Sequence, residues 1–283
     1  MSFSNLFIII PVHNRRNYTQ GCLASLTEQT YSRFSIVVVD DGSMDGTSEM
    51  ISQQFPEVIL LHGDGNLWWS RSINRGVDYA LQKNADSIMT LNDDLIVDPE
   101  CIKSLYIASK QFPDSILGCF AFALEPGIIN PVQKGMRISW RMGKEFEVDF
   151  PENGYCESDI LPGRGMLIPK CVFDKIGQFD WKKFPQGGAD YDFALRARKA
   201  GFKAIAVKNA VVRCYNNATG SQKLKAKKSL INFLQYLISI RSSGNLPIRI
   251  KFAFRHCPWY YLPTYLFLDL GRVILSYWKS AKQ

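Results

Sequence analysis

Two short acidic runs carry most of the chemistry that can be read from this 283-residue chain. Asp40-Asp41-Gly42-Ser43 closes the apolar run Ser35-Ile-Val-Val-Val, and Asn92-Asp93-Asp94 closes Ser87-Ile-Met-Thr-Leu. A β-branched run that stops at carboxylates reads as a buried parallel strand. Such a strand delivers charge to the sheet's C-terminal edge, where open α/β sheets bind ligands. The first pair can accept hydrogen bonds from a base or ribose. The second can hold a hard divalent cation that neutralises a diphosphate. Together they suit an enzyme that uses a nucleotide-activated donor. Each run also has a plain structural reading, a capped β–α turn for the first and an acidic turn for the second. Capping needs one Asx or Ser side chain, not two adjacent carboxylates ahead of it.

The elements that must position these acids alternate over the first hundred residues. Strand-like runs are Leu6–Val12, Ser35–Val39, Val58–Leu61 and Ser87–Leu91. Helix-like stretches at Arg16–Gln29, Asp45–Gln54 and Trp68–Lys83 separate them. This order predicts a parallel sheet with crossover helices. Asp98-Pro99-Glu100 predicts a further helix start, with Asp98 as N-cap. The pattern loosens from Ser115 to Phe150. A loop and strand follow at Gly163–Pro169, a short helix at Lys170–Ile176, a helix after Gly187–Asp192 that runs through Lys199 and is ended by Gly201, and a strand at Lys203–Val207. The rest, from about Ser221, reads as helical, with a soft boundary near Asn216–Ser221.

Composition narrows the class. The seven scattered cysteines form no C-x-x-C pair and there are three histidines, so a zinc site is not expected and a reducing compartment is. Leu6 enters a strand with no basic n-region before it, so no signal peptide is expected. The net charge of +8 is unevenly spread: up to Asp192 the balance is −8, and after it 17 Lys and Arg stand against the single acid Asp269. A basic third of this kind is either a solvated surface or one that meets an anionic partner.

Several motifs together resemble the inverting family 2 glycosyltransferases with a GT-A fold, over about Leu6 to Val207. Ile10-Pro11-Val12-His13-Asn14 is similar to the family's opening strand and turn, and Val39-Asp40-Asp41-Gly42-Ser43 to the turn that follows. Gly65-Asn66-Leu67-Trp68-Trp69-Ser70 with Asn74-Arg75-Gly76 resembles the N-x-G helix of the rhamnosyltransferase-like branch. Leu91-Asn92-Asp93-Asp94 is similar to the metal-binding motif. Gly163–Ile168 with Gly177-Gln178-Phe179-Asp180, and Gly188-Ala189-Asp190-Tyr191-Asp192-Phe193 through Arg196, resemble the acceptor-side segments.

The resemblance implies an α/β fold, a GT-A-like (Rossmann-like), mostly parallel sheet flanked by helices. Residues 1–218 would form the catalytic domain, with a nucleotide-binding half to about 112 and an acceptor half to about 218. A basic, aromatic helical appendage would occupy 219–283. It also implies roles. Asp190 would be the general base. Asp94 would ligate Mn²⁺ or Mg²⁺, with Asn92 or Asp93 touching the donor. Asp41, with or without Asp40, would hold the nucleoside in a pocket lined by Pro11, with His13, Asn14 and Asn74 on the donor side. Trp69, Arg71, Arg75, Gly165, Asp192 and Arg196 are further candidates. For Trp69 the alternatives are stacking on a sugar or base and packing on the sheet. Arg71 and Arg75, near the same helix N-terminus, are candidates for the donor phosphates.

The resemblance departs at two places. Ala189 stands where the family has an acid before the base. The stretch Val211–Ser221 lacks the histidine that many relatives add to the metal shell, so the metal would rest on Asp94, the diphosphate and water. The implied reaction moves a sugar from a UDP- or dTDP-sugar to a hydroxyl of a lipid-linked glycan, in bacterial surface-polysaccharide assembly (O-antigen or capsule). The implied place is cytoplasmic, peripheral on the inner face of the cell membrane. The tail Pro258–Trp278 is broken by two prolines, Asp269 and Arg272, so it predicts an interfacial segment separable from the catalytic fold, or else a buried dimer or domain contact, rather than a membrane span. Lys223, Lys225, Lys227 and Lys228 are either a solvated run or part of an anionic-membrane surface. A sugar-nucleotide nucleotidyltransferase would want a glycine-rich loop after the first strand, where Pro11-Val12-His13-Asn14-Arg15-Arg16 stands. A nucleic-acid-binding module would want a stacking platform or groove-reading motif; neither is present, so no nucleic acid is expected.

Overall fold

The computed structural model describes residues 4–124, 131–215 and 229–279. Four parallel strands form the expected block: β1 (Leu6–Val12), β2 (Phe34–Asp40), β3 (Ile59–His62) and β4 (Ser87–Thr90). Helices α1 (Arg16–Thr27), α2 (Thr47–Gln54) and α3 (Trp68–Gln82) connect them. Strand β5 (Leu95–Val97) and helix α4 (Cys101–Gln111) lead on to β6 (Ile116–Ala123), β7 (Pro131–Gln133), the hairpin β8 (Met136–Ser139) and β9 (Lys144–Glu147), and β10 (Tyr155–Glu157). After β11 (Met166–Pro169) come α5 (Lys170–Ile176), α6 (Ala189–Lys199) and β12 (Ala204–Cys214). The sheet order is β10-β12-β6-β11-β4-β1-β2-β3, with β5 on β12 and β7 on β6. β11 runs antiparallel between β4 and β6, joining the nucleotide half to the acceptor half in one sheet.

Side-chain alternation along the strands builds two cores. Leu6, Ile8 and Ile10 of β1 pack with α1, α2 and α4, while Phe7 and Ile9 pack with α3, α5 and α6. The register aligns Val12 with Asp40 and Asp40 with His62, so β1, β2 and β3 end together. Asp98 does not cap α4: its carboxylate pairs with Arg213 at 2.9 and 3.1 Å, and Glu100 occupies the cap position without a side-chain bond.

The C-terminal region is helical: α7 (Leu230–Ile238), α8 (Leu246–His256), a 3₁₀ turn (Trp259–Tyr261) and α9 (Leu262–Lys279). It is not a separable appendage, because α8 docks on α6 and Phe252 joins the second core. Tyr265, Asp269, Val273 and Tyr277 face inward along α9 at four-residue spacing. Phe267, Leu270, Ile274 and Trp278 form the opposite, exposed stripe. No helix among the described residues is long and apolar enough to cross a membrane. The boundary near 216–221 and the lysine run at 223–228 lie outside the described residues.

Candidate active site

The β1, β2 and β4 edges meet as the acidic runs require, and hydrogen bonds show what each acid does there. Asp40 accepts Ser43 N at 2.9 Å and the Ser48 hydroxyl, which folds its own turn. Asp41 is buried, and both its oxygens receive backbone amides of the β3–α3 turn, Gly65 N at 2.8 Å and Leu67 N at 2.8 Å. His13 Nδ1 lies 2.6 Å from the Asp41 carbonyl oxygen. Asn14, in the left-handed region at φ 53°, accepts Met44 N at 2.7 Å through its side chain. Pro11, paired with Val39, completes this edge without an N–H of its own.

The second acidic run is poised differently. Asp93 and Asp94 are both buried, and Arg15 of the β1–α1 turn reaches both, with Nε 3.2 Å from Asp93 Oδ2 and Nη2 3.1 Å from Asp94 Oδ2. Burial pushes the Asp93 carboxyl up to about 7, against the pull of Arg15, and the neighbouring Asp94 adds to the rise. Asp94 Oδ1 is buried and accepts no hydrogen bond among the described residues. Two adjacent carboxylates with a bare buried oxygen fit a hard cation. No cluster of three or more His, Cys, Asp or Glu with metal-holding geometry occurs among the described residues. The fit is therefore to a cation that shares its shell with substrate phosphates and water. Arg213 is committed to Asp98, and Tyr215 packs its ring against Tyr18, so neither replaces the missing histidine.

Asp190 opens α6 behind Gly188, whose φ of 75° turns the chain into the helix. It is half-buried in the wall of a cavity of about 640 Å³ that also contains Trp69, Asn92, Arg164 and Tyr191. Its Oδ2 accepts Gly163 N at 2.8 Å and its Oδ1 accepts Tyr191 N at 3.0 Å. Withdrawal from water pushes its carboxyl above the ordinary carboxylate range, and these amides and Arg164 oppose the rise. The Trp69 indole N–H donates to Asn92 Oδ1 at 3.0 Å, so Asn92 and Asp190 share one chamber, while Asp40, Asp41, Asp93 and Asp94 do not line it. The far wall comes from the C-terminal region, through Ser242, Asn245, Arg249 and Tyr265.

Several candidates serve the framework instead. Asn74 brackets Phe179, donating to its carbonyl at 2.8 Å and accepting its amide at 3.1 Å. Asp192 is fully buried among Arg196 (2.8 Å), Arg255 (3.2 Å) and His256 (2.9 Å), away from the cavity. Arg196 also donates to the Ile176 and Gln178 carbonyls. Gly165, at φ 89°, lies where a Cβ would meet Cys119 Sγ at 2.7 Å, so its place is steric. Arg71 stacks on Trp181 and, with Arg75, borders a smaller separate pocket. Sequence reasoning missed Arg15, Arg164, Gln186 and Arg249. For Arg164 a signal was present, an arginine set between two glycines just ahead of β11.

A family model described as glycosyl transferase family 2 matches residues 7–165. An N-acetylglucosaminyl-diphospho-decaprenol L-rhamnosyltransferase of Mycobacterium tuberculosis is 26% identical over 219 residues, covering 67% of this chain and 69% of that protein. The fold is shared with GalNAc-T7 bound to UDP, GalNAc and Mn²⁺ (TM-score 0.64, 15% identity), over 77% of this chain but only 44% of that one. It is shared too with the mannosyltransferase PcManGT of Pyrobaculum calidifontis bound to GDP-Man and Mn²⁺ (TM-score 0.60, 16% identity), over 98% of this chain and 71% of that one. With the family model spanning both acidic edges and the fold common to these structures, the chain belongs to glycosyl transferase family 2 and has the GT-A architecture.

Proposed function

We propose that this chain is an inverting glycosyltransferase, moving a sugar from a UDP- or dTDP-sugar to a hydroxyl of a lipid-linked glycan. The observation that carries the reading is the shared chamber, which has Asp190 on one wall and Asn92, joined to Trp69, on the other. An acceptor hydroxyl held between these walls attacks the anomeric carbon opposite the diphosphate, and its proton passes to Asp190. The raised proton affinity of Asp190 suits a base, and the Gly163 and Tyr191 amides fix its direction. Asp94, with Asp93 beside it, would hold Mn²⁺ or Mg²⁺. Such an ion, when bound, neutralises charge developing on the leaving diphosphate. The β1 and β2 edges, with Asp41, His13 and Asn14, form the floor on which the nucleoside would rest.

A lipid-linked acceptor is supported by two lines. The mycobacterial relative is named for an acceptor carried on a polyprenyl diphosphate. In this chain the C-terminal helices expose apolar rows, Leu230, Ile231, Leu234 and Ile238 on α7 and Phe267, Leu270, Ile274 and Trp278 on α9, in the region with the basic surplus. Aromatic and aliphatic groups flanked by cations suit an anionic bilayer surface. The other face of α9 lines the chamber through Tyr265, so that surface would lie one helix width from it. We place the enzyme at the inner face of the membrane, acting in surface-polysaccharide synthesis. Incubation with a panel of nucleoside diphosphate sugars, scoring diphosphate release and binding to anionic vesicles, tests the reading. No release with any donor would overturn it.

A further inference from the structure

Arg164 is the one cavity-lining side chain that the framework explains least. It stands between Gly163, whose amide holds Asp190, and Gly165, whose amide donates to the Thr90 carbonyl at 3.1 Å at the end of β4. A Cβ on Gly163 would meet the Trp69 ring at 2.8 Å, and one on Gly165 would meet Cys119. The loop is pinned on both sides, which fixes the point from which the half-buried arginine between the glycines projects.

The Arg164 side chain ends near β12, the strand paired with β5, which begins just after Asp94. Arg164 Nη1 lies 3.9 Å from Cys214 Sγ. Cys214 is paired with Leu95, the residue after Asp94, and the next amide, Tyr215 N, reaches the Asp94 carbonyl at 3.3 Å. The guanidinium therefore borders the chamber at the strand pair that carries Asp94. The other cavity-lining cations are matched: Lys134 with Glu147 at 2.7 Å, and Arg249 with Asp269. Among the described residues, Arg164 has no carboxylate within ion-pair distance. The Asp190 carboxylate acts on Arg164 only at longer range. A partly buried guanidinium with no salt-bridge partner, facing a cavity, has donors free for an anion, and its planar fork matches phosphate oxygens.

We propose that Arg164 binds the diphosphate of the donor and stabilises it as it leaves. This rests on the donor reading above and assigns that site a residue outside the acidic motif. As the bond between the anomeric carbon and the diphosphate oxygen breaks, its electron pair stays on the diphosphate. The acceptor oxygen bonds to the carbon and gives its proton to Asp190. Arg164 remains protonated throughout and contributes hydrogen bonds that strengthen as the leaving charge grows.

The test compares the wild-type chain with Arg164→Gln, Arg164→Lys and Cys214→Ala by calorimetry, using UDP, dTDP, GDP and the corresponding nucleosides, alongside turnover and melting temperature. The inference expects Arg164→Gln to weaken the nucleoside diphosphate by about tenfold or more, while the nucleoside changes by less than about twofold. Arg164→Lys should recover part of the loss, kcat should fall with the acceptor KM steady, and Cys214→Ala should bind as wild type. Unchanged diphosphate affinity in Arg164→Gln would overturn the inference. So would equal losses for nucleoside and diphosphate with a lowered melting temperature, which would make Arg164 a structural partner of β12. A wild-type chain that binds none of the three nucleoside diphosphates would instead overturn the donor reading itself.

Discussion

The amide of Gly163 donates to Asp190 Oδ2 at 2.8 Å, and the same glycine leaves no room for a side chain beneath the Trp69 ring. One residue thus fixes the direction of the carboxylate and the position of the indole that holds Asn92. Gly163→Ala would place a methyl group 2.8 Å from Trp69 Cζ2. Overpacking of this kind costs about 1–3 kcal/mol. The expected outcome is a lower melting temperature and turnover reduced about tenfold or more, since misplacement by an ångström can cost that much or more. Wild-type turnover by this variant would show that Trp69 swings aside without consequence.

Arg15 is expected to hold Asp93 and Asp94 together when no divalent cation does. Removing one partner of a buried charge cluster costs about 3–5 kcal/mol. Arg15→Met should therefore melt markedly lower in EDTA, and Mn²⁺ should raise its melting temperature more than that of the wild type. Equal metal-induced shifts in the two proteins would mean that the cation and Arg15 do not share these carboxylates.

The Asp93 shift sets a sign for pH dependence. In the folded chain this carboxyl is pushed up to about 7, while in the unfolded chain it titrates near its usual value of about 3.9. Between those limits the folded state binds the extra proton, so Asp93 favours folding at the acid end of the window. That contribution is lost as pH rises toward about 7. Metal-free Asp93→Asn should lose less stability than the wild type between about pH 5 and 8 in urea titrations. A parallel pair of profiles would contradict the assignment.

How far the sequence carries differs by residue, for physical reasons. The strands beneath both acidic runs were legible because β-branched runs ending in carboxylates have few other solutions. The direction of a side chain was not. Asp190 and Asp192 were both candidates, yet residues two apart on a helix point to nearly opposite sides. Only one of them can face the chamber: Asp190 does, and Asp192 turns inward to α8. Asn74 is a similar case, on a helix near the site but turned toward Phe179. Arg15 carries no pattern, being a single arginine in a turn, and the glycines flanking Arg164 mark a tight loop without saying what its side chain meets. Their meaning lies in contacts with Asp93, Asp94 and Cys214, distant in sequence. The tail reads as interfacial or as a buried contact; its inward Tyr265, with Phe252 of α8 ahead of it, makes it a wall of the cavity.

Asp192 is expected to matter for stability and for the position of α8. Asp192→Asn would leave Arg196, Arg255 and His256 around a neutral group, with a loss of about 3–5 kcal/mol. Its partners hold the Asp192 carboxyl below the usual range, against its burial. The group therefore stabilises the fold fully above its unfolded value, and that contribution is lost as pH falls through the lower folded value. Asp192→Asn should be destabilised at neutral pH and less sensitive to further acidification than the wild type, as followed by circular dichroism. Unaltered stability at neutral pH would remove the cluster from this role.

Asp190→Asn tests the central claim most directly. Pre-steady-state turnover and donor binding should be measured for this variant and the wild type, using whichever nucleoside diphosphate sugar the wild type turns over. If Asp190 removes the acceptor proton, the rate of transfer falls by about 10²-fold or more, while donor affinity stays within about twofold of wild type, since the carboxylate meets the acceptor rather than the nucleotide. Near-normal transfer by Asp190→Asn, or a loss confined to donor binding, would contradict the account.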